Sequence, residues 1–329
     1  MRSISFEGRV VVVTGAGGGI GRTYALDIAR RGGAVVVNDL GGDIAGRGSS
    51  RAMADAVVAE IQRAGGRAVA NHDSVADPDG AQRLIDLALK QFGQVDALIN
   101  NAGIMRNHLF EDTGDEDFDA VLDTHLRGTV NVTRAVWPHM KKRNYGRVVF
   151  TTSGTGMYGN KLQAGYAAGK AGITGLMNVL ALEGEDHGIL CNALLPNAVG
   201  RMSEQMVKDN GPQSSADAGA MMKVVGKSMN PEFNTALGVY LASESCASTH
   251  AIYSSCVGRI ARVFVGVTPG WQGSREHPAT AEDIAEHFAE ITSLARGFHT
   301  PTSPRNEIEL VLKQGQTVSP SGILHQDKS

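Results

Sequence analysis

The 329-residue chain is poor in cysteine, in aromatic residues and in surplus charge. Its three cysteines, Cys191, Cys246 and Cys256, are odd in number and lack metal-ligand spacing. They therefore indicate buried thiols in a reduced compartment rather than a disulfide framework or a metal site. A formal net charge of −3 gives no basic surface that would bind nucleic acid or an anionic membrane. We expect a globular protein of one large domain, or one domain with an extension.

Long apolar runs are also lacking. The apolar run from Val10 to Val13 is far shorter than the roughly 20 residues that cross a bilayer. We read no signal peptide at the N-terminus, and Asp327-Lys328-Ser329 is not a peroxisomal address. The expectations are a cytoplasmic protein, no membrane insertion and no nucleic-acid partner.

Glycine is plentiful, with 41 residues that cluster in turns. The first cluster, Thr14 to Gly21, follows the apolar run and precedes a helical pattern that begins at Ile20. A strand, a glycine loop and a helix form the setting in which backbone N–H groups hold a pyrophosphate. On its own a glycine loop can be only a tight turn, but this setting favours a dinucleotide site. The residues we expect to hold the pyrophosphate are Gly15, Gly19, Ile20 and Gly21.

A second apolar run, Ala34 to Asn38, ends at Asp39, about twenty residues after the glycine loop. A carboxylate at this place accepts hydrogen bonds from the adenosine ribose and repels a 2′-phosphate. No arginine stands between positions 37 and 40 to attract that phosphate. The cofactor prediction is therefore NAD rather than NADP, although an aspartate before Leu-Gly-Gly also suits an ordinary turn.

Apolar runs and helical patterns alternate along the chain. The expected strands cover residues 9–13, 34–38, 67–71, 95–99, 148–152, 190–195 and 262–267, and the expected helices include 52–64, 78–92, 115–140, 166–185 and 231–242. This alternation predicts an α/β fold with a doubly wound parallel sheet of the Rossmann type. Ligands of such sheets bind at the carboxyl ends of the strands. We place this domain at 1–270, and at 271–329 an extension with a helix capped by Thr280 and Asp283 and a loose tail.

Three polar residues then combine into a possible reaction centre. Ser153 follows a strand pattern, and Tyr166 and Lys170 share one face of the next helix because they are four residues apart. A phenol with an ordinary pKa near ~10 is a poor base, and a neighbouring cation favours its phenolate. A serine hydroxyl can hold the oxygen of a carbonyl or alcohol while the phenol exchanges a proton with it. A Tyr-x-x-x-Lys pair alone is common by chance, so its weight comes from the serine and the glycine loop.

The segment from 201 to 230 breaks the alternation. It carries several methionines, such as Met202, Met206 and Met221, around Asn210-Gly211-Pro212. Flexible apolar side chains between turn residues suit a lid over an apolar substrate. A loosely packed pair of surface helices is the alternative.

As a set, these motifs resemble the short-chain dehydrogenase/reductase family over about positions 8 to 270. The matching elements are Thr14-Gly-x-x-x-Gly19-x-Gly21, Asn100-Asn-Ala-Gly103, Ser153, Tyr166-x-x-x-Lys170 and Pro196. The resemblance implies that Tyr166 is the general acid/base, that Lys170 lowers its pKa and holds the nicotinamide ribose, and that Ser153 binds the substrate oxygen. It also implies that the adenine region lies by Asp73, Ser74 and Val75, and the nicotinamide side by Asn101, Ala102, Gly103, Pro196, Asn197, Ala198 and Val199.

A narrower group is similar as far as about residue 312. Asn38-Asp39-Leu-Gly-Gly42, His125-Leu-Arg-Gly128, Tyr158-Gly-Asn160 and Pro196-Asn197 look like the (3R)-hydroxyacyl-CoA dehydrogenase part of the peroxisomal multifunctional enzymes, also called 17-beta-hydroxysteroid dehydrogenase type four. This likeness implies NAD-dependent chemistry on a fatty or steroid-derived 3-hydroxyacyl-CoA, without the hydratase and lipid-carrier parts, in a homodimer or homotetramer. A 3-oxoacyl-carrier-protein reductase, a hydroxysteroid dehydrogenase and a catalytically silent NAD(H)-binding protein are the alternatives.

His125 stands where the wider family usually has asparagine in a water-linked proton relay to the lysine. The relay would then use its backbone carbonyl or its imidazole, or the ring would simply be packed in the core.

Overall fold

The computed structural model describes residues 3–209 and 211–314, in two compact units that divide after Arg262. The strands are β1 (Val10–Thr14), β2 (Ala34–Asn38), β3 (Arg67–Asn71), β4 (Ala97–Asn100), β5 (Gly146–Thr151), β6 (Ile189–Pro196), β7 (Ala251–Cys256) and β8 (Arg259–Val263). The helices are α1 (Gly19–Arg30), α2 (Ala52–Arg63), α3 (Pro78–Phe92), α4 (Asp115–Leu122), α5 (Gly128–Arg143), α6 (Gly154–Tyr158), α7 (Ala164–Gly184), α8 (Arg201–Asp209), α9 (Gly211–Val225), α10 (Glu232–Ala242), α11 (Ala281–Ile291) and α12 (Pro304–Gln314).

The strands form a single sheet in the order β3-β2-β1-β4-β5-β6-β7-β8, and the pairs from β3 to β7 are parallel. This arrangement confirms the predicted doubly wound sheet. The order in which strands are added reverses at β1: β2 and β3 lie on one side of it, and β4 and the later strands on the other. In sheets of this kind a ligand cleft lies beyond the carboxyl ends of the two strands at the reversal, here β1 and β4.

Apolar residues explain why these strands form where they do. All five residues of β1 and all five of β2 are buried, as a strand covered by helices on both sides requires. The helix α3 begins where the side chain of Asp77 accepts a hydrogen bond from the N–H of Asp79, and it ends at Gly93 in the left-handed conformation.

The last predicted strand, 262–267, is wrong. The structure instead has β7 at 251–256 and β8 at 259–263, separated by Val257 and Gly258, both with positive φ. The polar residues Ser254, Ser255 and Cys256 hide β7 from a search for apolar runs, and Phe264 and Val265, which suggested a strand, are exposed. The apolar pattern therefore predicted a strand over the end of β8 and the residues after it, and it missed β7.

The predicted helix at 115–140 is interrupted. Its two parts, α4 and α5, are joined by a π-helical turn, Asp123–Arg127, which contains His125. A π turn inserts one extra residue per turn and is frequent at functional sites. Hydrophobic periodicity does not reveal it because the apolar face stays continuous.

The second unit begins at Val263 and has its own contacts. The predicted capping box of α11 is confirmed, since the side chains of Thr280 and Asp283 each bond the other's backbone N–H. The rings of Trp271 and His287 stack with centroids 4.4 Å apart. The sequence did not predict α12, and the loose tail expected at residues 320–329 lies outside the described residues. The domain boundary expected at residue 270 stays a prediction.

None of the helices within 3–209 and 211–314 combines the length and the apolarity needed to cross a membrane.

One buried carboxylate joins the beginnings of β1 and β4. Asp96 is 1% exposed and accepts hydrogen bonds from the N–H of Val10 (2.8 Å) and from Nε2 of Gln94 (2.7 Å). Its other oxygen meets the guanidinium groups of Arg9 and Arg143, each at 3.1 Å. A buried carboxylate with this many donors stabilises the fold only while all its partners remain in place.

We predict that Asp96→Asn lowers the free energy of unfolding by about 3 kcal/mol, because an amide NH₂ would face donors and lose the ion pairs. Urea denaturation measures the change. The matched control is Asp86→Asn at an exposed position, which should stay within about 0.5 kcal/mol of wild type. A loss below about 1 kcal/mol for Asp96→Asn would contradict this account.

Candidate active site and cofactor cleft

The glycine loop after β1 has a shape that lets a ligand approach its backbone closely. A Cβ at Gly15 would lie 2.8 Å from Cα of Ala102, and one at Gly21 would collide with the carbonyl oxygen of Gly15. Gly15 and Gly19 also have positive φ values of 62° and 53°. The first N–H groups of α1 have no acceptor within the helix. This shape is compatible with a pyrophosphate at the helix N-terminus, and the binding roles of Gly15, Gly19, Ile20 and Gly21 stay predictions.

Asn101 fastens this loop to the end of β4. Its Nδ2 donates to the carbonyl oxygens of Thr14 and Gly15, each at 3.0 Å. The hydroxyl of Thr14 accepts from the N–H of Asn101 (3.0 Å) and of Ala102 (3.1 Å). The Asn-Ala-Gly motif thus binds the end of β4 to the start of the glycine loop, and we call these bonds the clamp.

Asp39 lies at the carboxyl end of β2 and faces the same loop. One carboxylate oxygen accepts from the N–H of Gly17 and the other from the N–H of Gly41, both at 2.8 Å. Each oxygen keeps further acceptor capacity for a ribose hydroxyl. The side chain holds the loop in shape, and its bond to a ribose stays a prediction.

The segment Asp73 to Val75, predicted to lie by the adenine, follows β3. The Asp73 carboxylate is already bonded by Asn71 (2.7 Å) and Arg83 (2.8 Å). Nδ2 of Asn131 donates to the carbonyl of Val75 at 3.1 Å and holds the segment against α5. Asp73 therefore fixes the segment through its own partners, and the contact of Asp73, Ser74 and Val75 with the adenine stays a prediction.

The segment Pro196 to Val199 follows β6 on the same side of the sheet. The amide of Asn234 bonds both the N–H (3.2 Å) and the carbonyl (3.1 Å) of Asn197. The N–H of Val199 donates to the carbonyl of Met229 at 2.7 Å. These bonds fix the backbone that the family likeness assigns to the nicotinamide side, including Ala198 between them.

Ser153 and Tyr166 are brought together by the packing of α6 on α7. Ser153 is the N-cap of α6, where its Oγ accepts from the N–H of Thr155 at 3.1 Å. A Cβ at Gly156 would lie 2.9 Å from Cβ of Lys170, so only glycine allows this approach. The hydroxyl of Ser153 lies close enough to that of Tyr166 to act on its pKa. The two predicted hydroxyls are therefore neighbours, and their joint role in catalysis stays a prediction.

Lys170 lies beneath this pair and is 3% exposed. Its Nζ donates to the carbonyl of Thr151 at 2.7 Å and lies 5.7 Å from the ring centroid of Tyr166. Burial lowers the pKa of Lys170 to about 7. Burial also raises the pKa of Tyr166, while the hydrogen bond with Ser153 acts in the opposite direction. Desolvation is thus the larger effect on the Tyr166 pKa, and the lowering of that pKa by Lys170 stays a prediction.

His125 is 1% exposed and supports both the clamp and the tyrosine. Its Nε2 lies 2.7 Å from the carbonyl oxygen of Ile104, and its ring meets the ring of Tyr166 edge to face at 5.0 Å. A Cβ at Gly103 would come 2.9 Å from Nδ1 of this imidazole, so glycine makes room for it. Burial, with a smaller effect of Lys170, lowers the pKa of His125 to about 3. The ring is therefore neutral. Its Nε2 also lies 3.1 Å from the backbone nitrogen of Ile104, so it either donates to the Ile104 carbonyl or accepts from the Ile104 N–H, according to the tautomer. The backbone carbonyl of His125 accepts from Thr129 Oγ1 at 2.6 Å.

Several supporting residues escaped the sequence analysis. Gln163 is buried and accepts hydrogen bonds from Thr155 (3.2 Å) and Asn160 (3.0 Å), which fixes the chain before Tyr166. Nε of Arg106 donates to the carbonyl of Ala45 at 2.8 Å and holds the loop after β2 against the segment beyond β4. No spacing rule singles out these residues. Arg106 and Ala45 are 61 residues apart, and the nearby bonds of Gln163 follow no regular helix or strand pattern.

The buried imidazole generates a pH-dependent prediction. The ordinary pKa of 6.5 applies in the unfolded chain, and the folded value is about 3. The folded state therefore binds fewer protons between these values, and its stability falls as the pH drops through this window. In wild type this linkage lowers the free energy of unfolding by up to about 1.4 kcal/mol per pH unit between pH 6.5 and 4. His125→Asn removes the linkage, so its melting temperature should fall less steeply over this range.

Thermal denaturation in a pH series measures this slope. His277→Asn is the matched control, because His277 is exposed and should leave the slope of wild type unchanged. Equal slopes for wild type and His125→Asn would show that the imidazole is not held neutral by the fold.

Comparison with known proteins gives a consistent family. Residues 9–211 match the family model for short chain dehydrogenases. The chain is 45% identical over 289 residues to a short-chain type dehydrogenase/reductase of Mycobacterium tuberculosis, covering 88% of this chain and 96% of that protein. It is 41% identical over 327 residues to mouse peroxisomal multifunctional enzyme type 2, covering 98% of this chain but 42% of the mouse protein. The chain thus spans less than half the length of that multifunctional relative.

Solved structures agree with the sequence matches. The full-length peroxisomal multifunctional enzyme type 2 of Drosophila melanogaster superposes with a TM-score of 0.75 at 31% identity, covering 94% of this chain and 50% of that one. A short chain dehydrogenase from Mycobacterium avium superposes with a TM-score of 0.71 at 35% identity, covering 88% of this chain and 97% of that one. With its glycine loop bonded to Asn101 and with Ser153 and Tyr166 as neighbours, the chain belongs to the short-chain dehydrogenase/reductase family and is an oxidoreductase.

Proposed function

We propose that the protein is an NAD-dependent dehydrogenase that interconverts a 3-hydroxyacyl-CoA and its 3-oxoacyl-CoA. The observation that carries the proposal is that Ser153 and Tyr166 are neighbours, with the buried Lys170 held by the carbonyl of Thr151 and its Nζ 5.7 Å from the Tyr166 ring centroid. This pair follows β5 at the carboxyl edge of the sheet, the edge where the glycine loop follows β1. A dinucleotide in the cleft and a substrate oxygen at the two hydroxyls would then face each other.

Each residue has a chemical role in this proposal. Ser153 donates a hydrogen bond to the substrate oxygen, and Tyr166 takes the hydroxyl proton during oxidation and returns it during reduction. A bound nicotinamide supplies the hydride acceptor. Lys170 and Tyr166 titrate as a coupled pair, because a phenolate beside the lysine favours its ammonium form. The pKa of about 7 places the lysine where this coupling operates near neutral pH.

Asp39 supports NAD as the cofactor. Its carboxylate stands at the end of β2 beside the glycine loop, held by the N–H groups of Gly17 and Gly41. A 2′-phosphate on the ribose would place like charges together, which costs binding free energy.

Exposed apolar side chains support an acyl substrate. Leu109 is 48% exposed, Phe110 77% and Tyr158 74%. A hydrogen bond from the N–H of His108 to the carbonyl of Leu162 (3.0 Å) joins the two segments that carry them. Tyr158 lies beside Gly154, the residue after Ser153, and exposed apolar side chains of this kind suit a fatty or steroid-derived chain. The likeness to the multifunctional enzymes adds CoA as the carrier.

A carrier-protein reductase is the second candidate. The chain is 41% identical over 191 residues to a 3-oxoacyl-[acyl-carrier-protein] reductase of Synechocystis, covering 58% of this chain. Asp39 favours the first candidate, because carrier-protein reductases usually prefer NADPH. Family likeness also supports a homodimer or homotetramer, and we keep the cytoplasmic location as a prediction.

A panel of substrates and cofactors tests the proposal. We expect the highest kcat/KM for a (3R)-3-hydroxyacyl-CoA with NAD, and at least about a tenfold preference for NAD over NADP. The panel also contains the (3S) isomer, a carrier-protein thioester and steroid alcohols. The isosteric variant Asp39→Asn should narrow the cofactor preference, since it removes the charge and keeps one acceptor oxygen.

Three outcomes would contradict the proposal. Turnover of the carrier-protein thioester with NADPH alone would favour the reductase. Turnover of steroid alcohols without CoA thioesters would favour a hydroxysteroid dehydrogenase. Binding of NADH without turnover of any substrate would favour a silent NAD(H)-binding protein.

A further inference from the structure

The side-chain charges nearest the glycine loop do not by themselves favour an anion. Asp39 places a carboxylate beside Gly17. Arg22, on the first turn of α1, is already paired with Glu60, whose oxygens lie 2.8 and 2.6 Å from its Nη2. A pyrophosphate on this loop would therefore depend on the helix N-terminus alone unless another cation approaches.

Arg201 is such a cation, and it comes from another part of the chain. It is the first residue of α8, in the methionine-rich segment after β6. A Cβ at Gly18, the N-cap of α1, would lie 3.9 Å from Nη2 of Arg201. The guanidinium is exposed, and among the described residues no carboxylate lies within ion-pair distance of it.

We propose that Arg201 binds the pyrophosphate of the dinucleotide together with the N-terminus of α1. A guanidinium is planar and presents paired N–H donors that match two phosphate oxygens. It would supply the positive charge that Arg22 cannot, because Arg22 is committed to Glu60. The inference rests on the proposed dinucleotide site and adds a residue that the glycine motif does not contain.

This contact would also couple cofactor binding to the position of α8. The beginning of α8 is fixed locally by Ser203, whose Oγ accepts from the N–H of Gly200 at 2.9 Å. Its end is tied to the segment beyond β4, because Nδ2 of Asn107 donates to Asp209 at 2.7 Å. A pyrophosphate held by Arg201 would tie the first turn of α8 to the glycine loop as well, so that cofactor binding stabilises the helix.

The test compares Arg201→Gln, Arg201→Lys and the control Lys208→Gln, which makes the same charge change at an exposed position of the same helix. Titration calorimetry measures NADH and ADP-ribose, which both contain the pyrophosphate, and displacement of NADH measures adenosine, which does not. We expect Arg201→Gln to raise the Kd of NADH and ADP-ribose about tenfold and to leave that of adenosine unchanged. Arg201→Lys should recover part of the affinity, and Lys208→Gln should bind like wild type.

Hydrogen exchange supplies a readout independent of affinity. At saturating NADH, the amides of α8 should exchange more slowly in wild type and in Lys208→Gln but not in Arg201→Gln. Unchanged Kd values for Arg201→Gln, or an equal loss for adenosine, would overturn the role of Arg201 and leave the dehydrogenase proposal standing. Failure of the wild-type protein to bind NADH, NADPH or ADP-ribose would overturn both.

Discussion

The close packing of α6 on α7 is the constraint on which the reaction centre depends. It is possible only because Gly156 lacks a side chain at the point where it meets Lys170. This contact sets the Ser153 hydroxyl against the Tyr166 hydroxyl, and the lysine extends beneath them to the carbonyl of Thr151. The sheet then adds the second half of the site, because parallel strands end at one edge and the glycine loop follows one of them.

Burial shifts the pKa values of the groups in this centre more than their interactions with one another do. Desolvation raises the pKa of Tyr166, lowers that of Lys170 to about 7 and lowers that of His125 to about 3. A buried neutral imidazole is a geometric support that joins Ile104 to the tyrosine ring. A charge that develops on one of these groups changes the others, so proton transfer in the proposed reaction involves Tyr166 and Lys170 together.

The sequence was sufficient to predict the elements that depend on a local residue pattern. Runs such as Val10–Thr14 mark buried strands, the glycine spacing marks the loop, and the four-residue interval of Tyr166 and Lys170 marks a shared helix face. It was insufficient where partners are far apart or where the pattern changes little. β7 is half polar and was missed, and the π turn at His125 keeps the apolar face continuous. The approach of Arg201 to Gly18 joins segments about 180 residues apart, which no spacing rule detects.

The central claim is that Tyr166 transfers the proton while hydride moves between substrate and nicotinamide. The most direct measurement is the turnover of Tyr166→Phe with a (3R)-3-hydroxyacyl-CoA and NAD, with NADH affinity measured alongside to show that the cleft is intact. The account predicts that kcat falls by ~10²–10⁴ while cofactor affinity is retained, because positioned acid/base catalysis contributes that much. Turnover within about tenfold of wild type would contradict it.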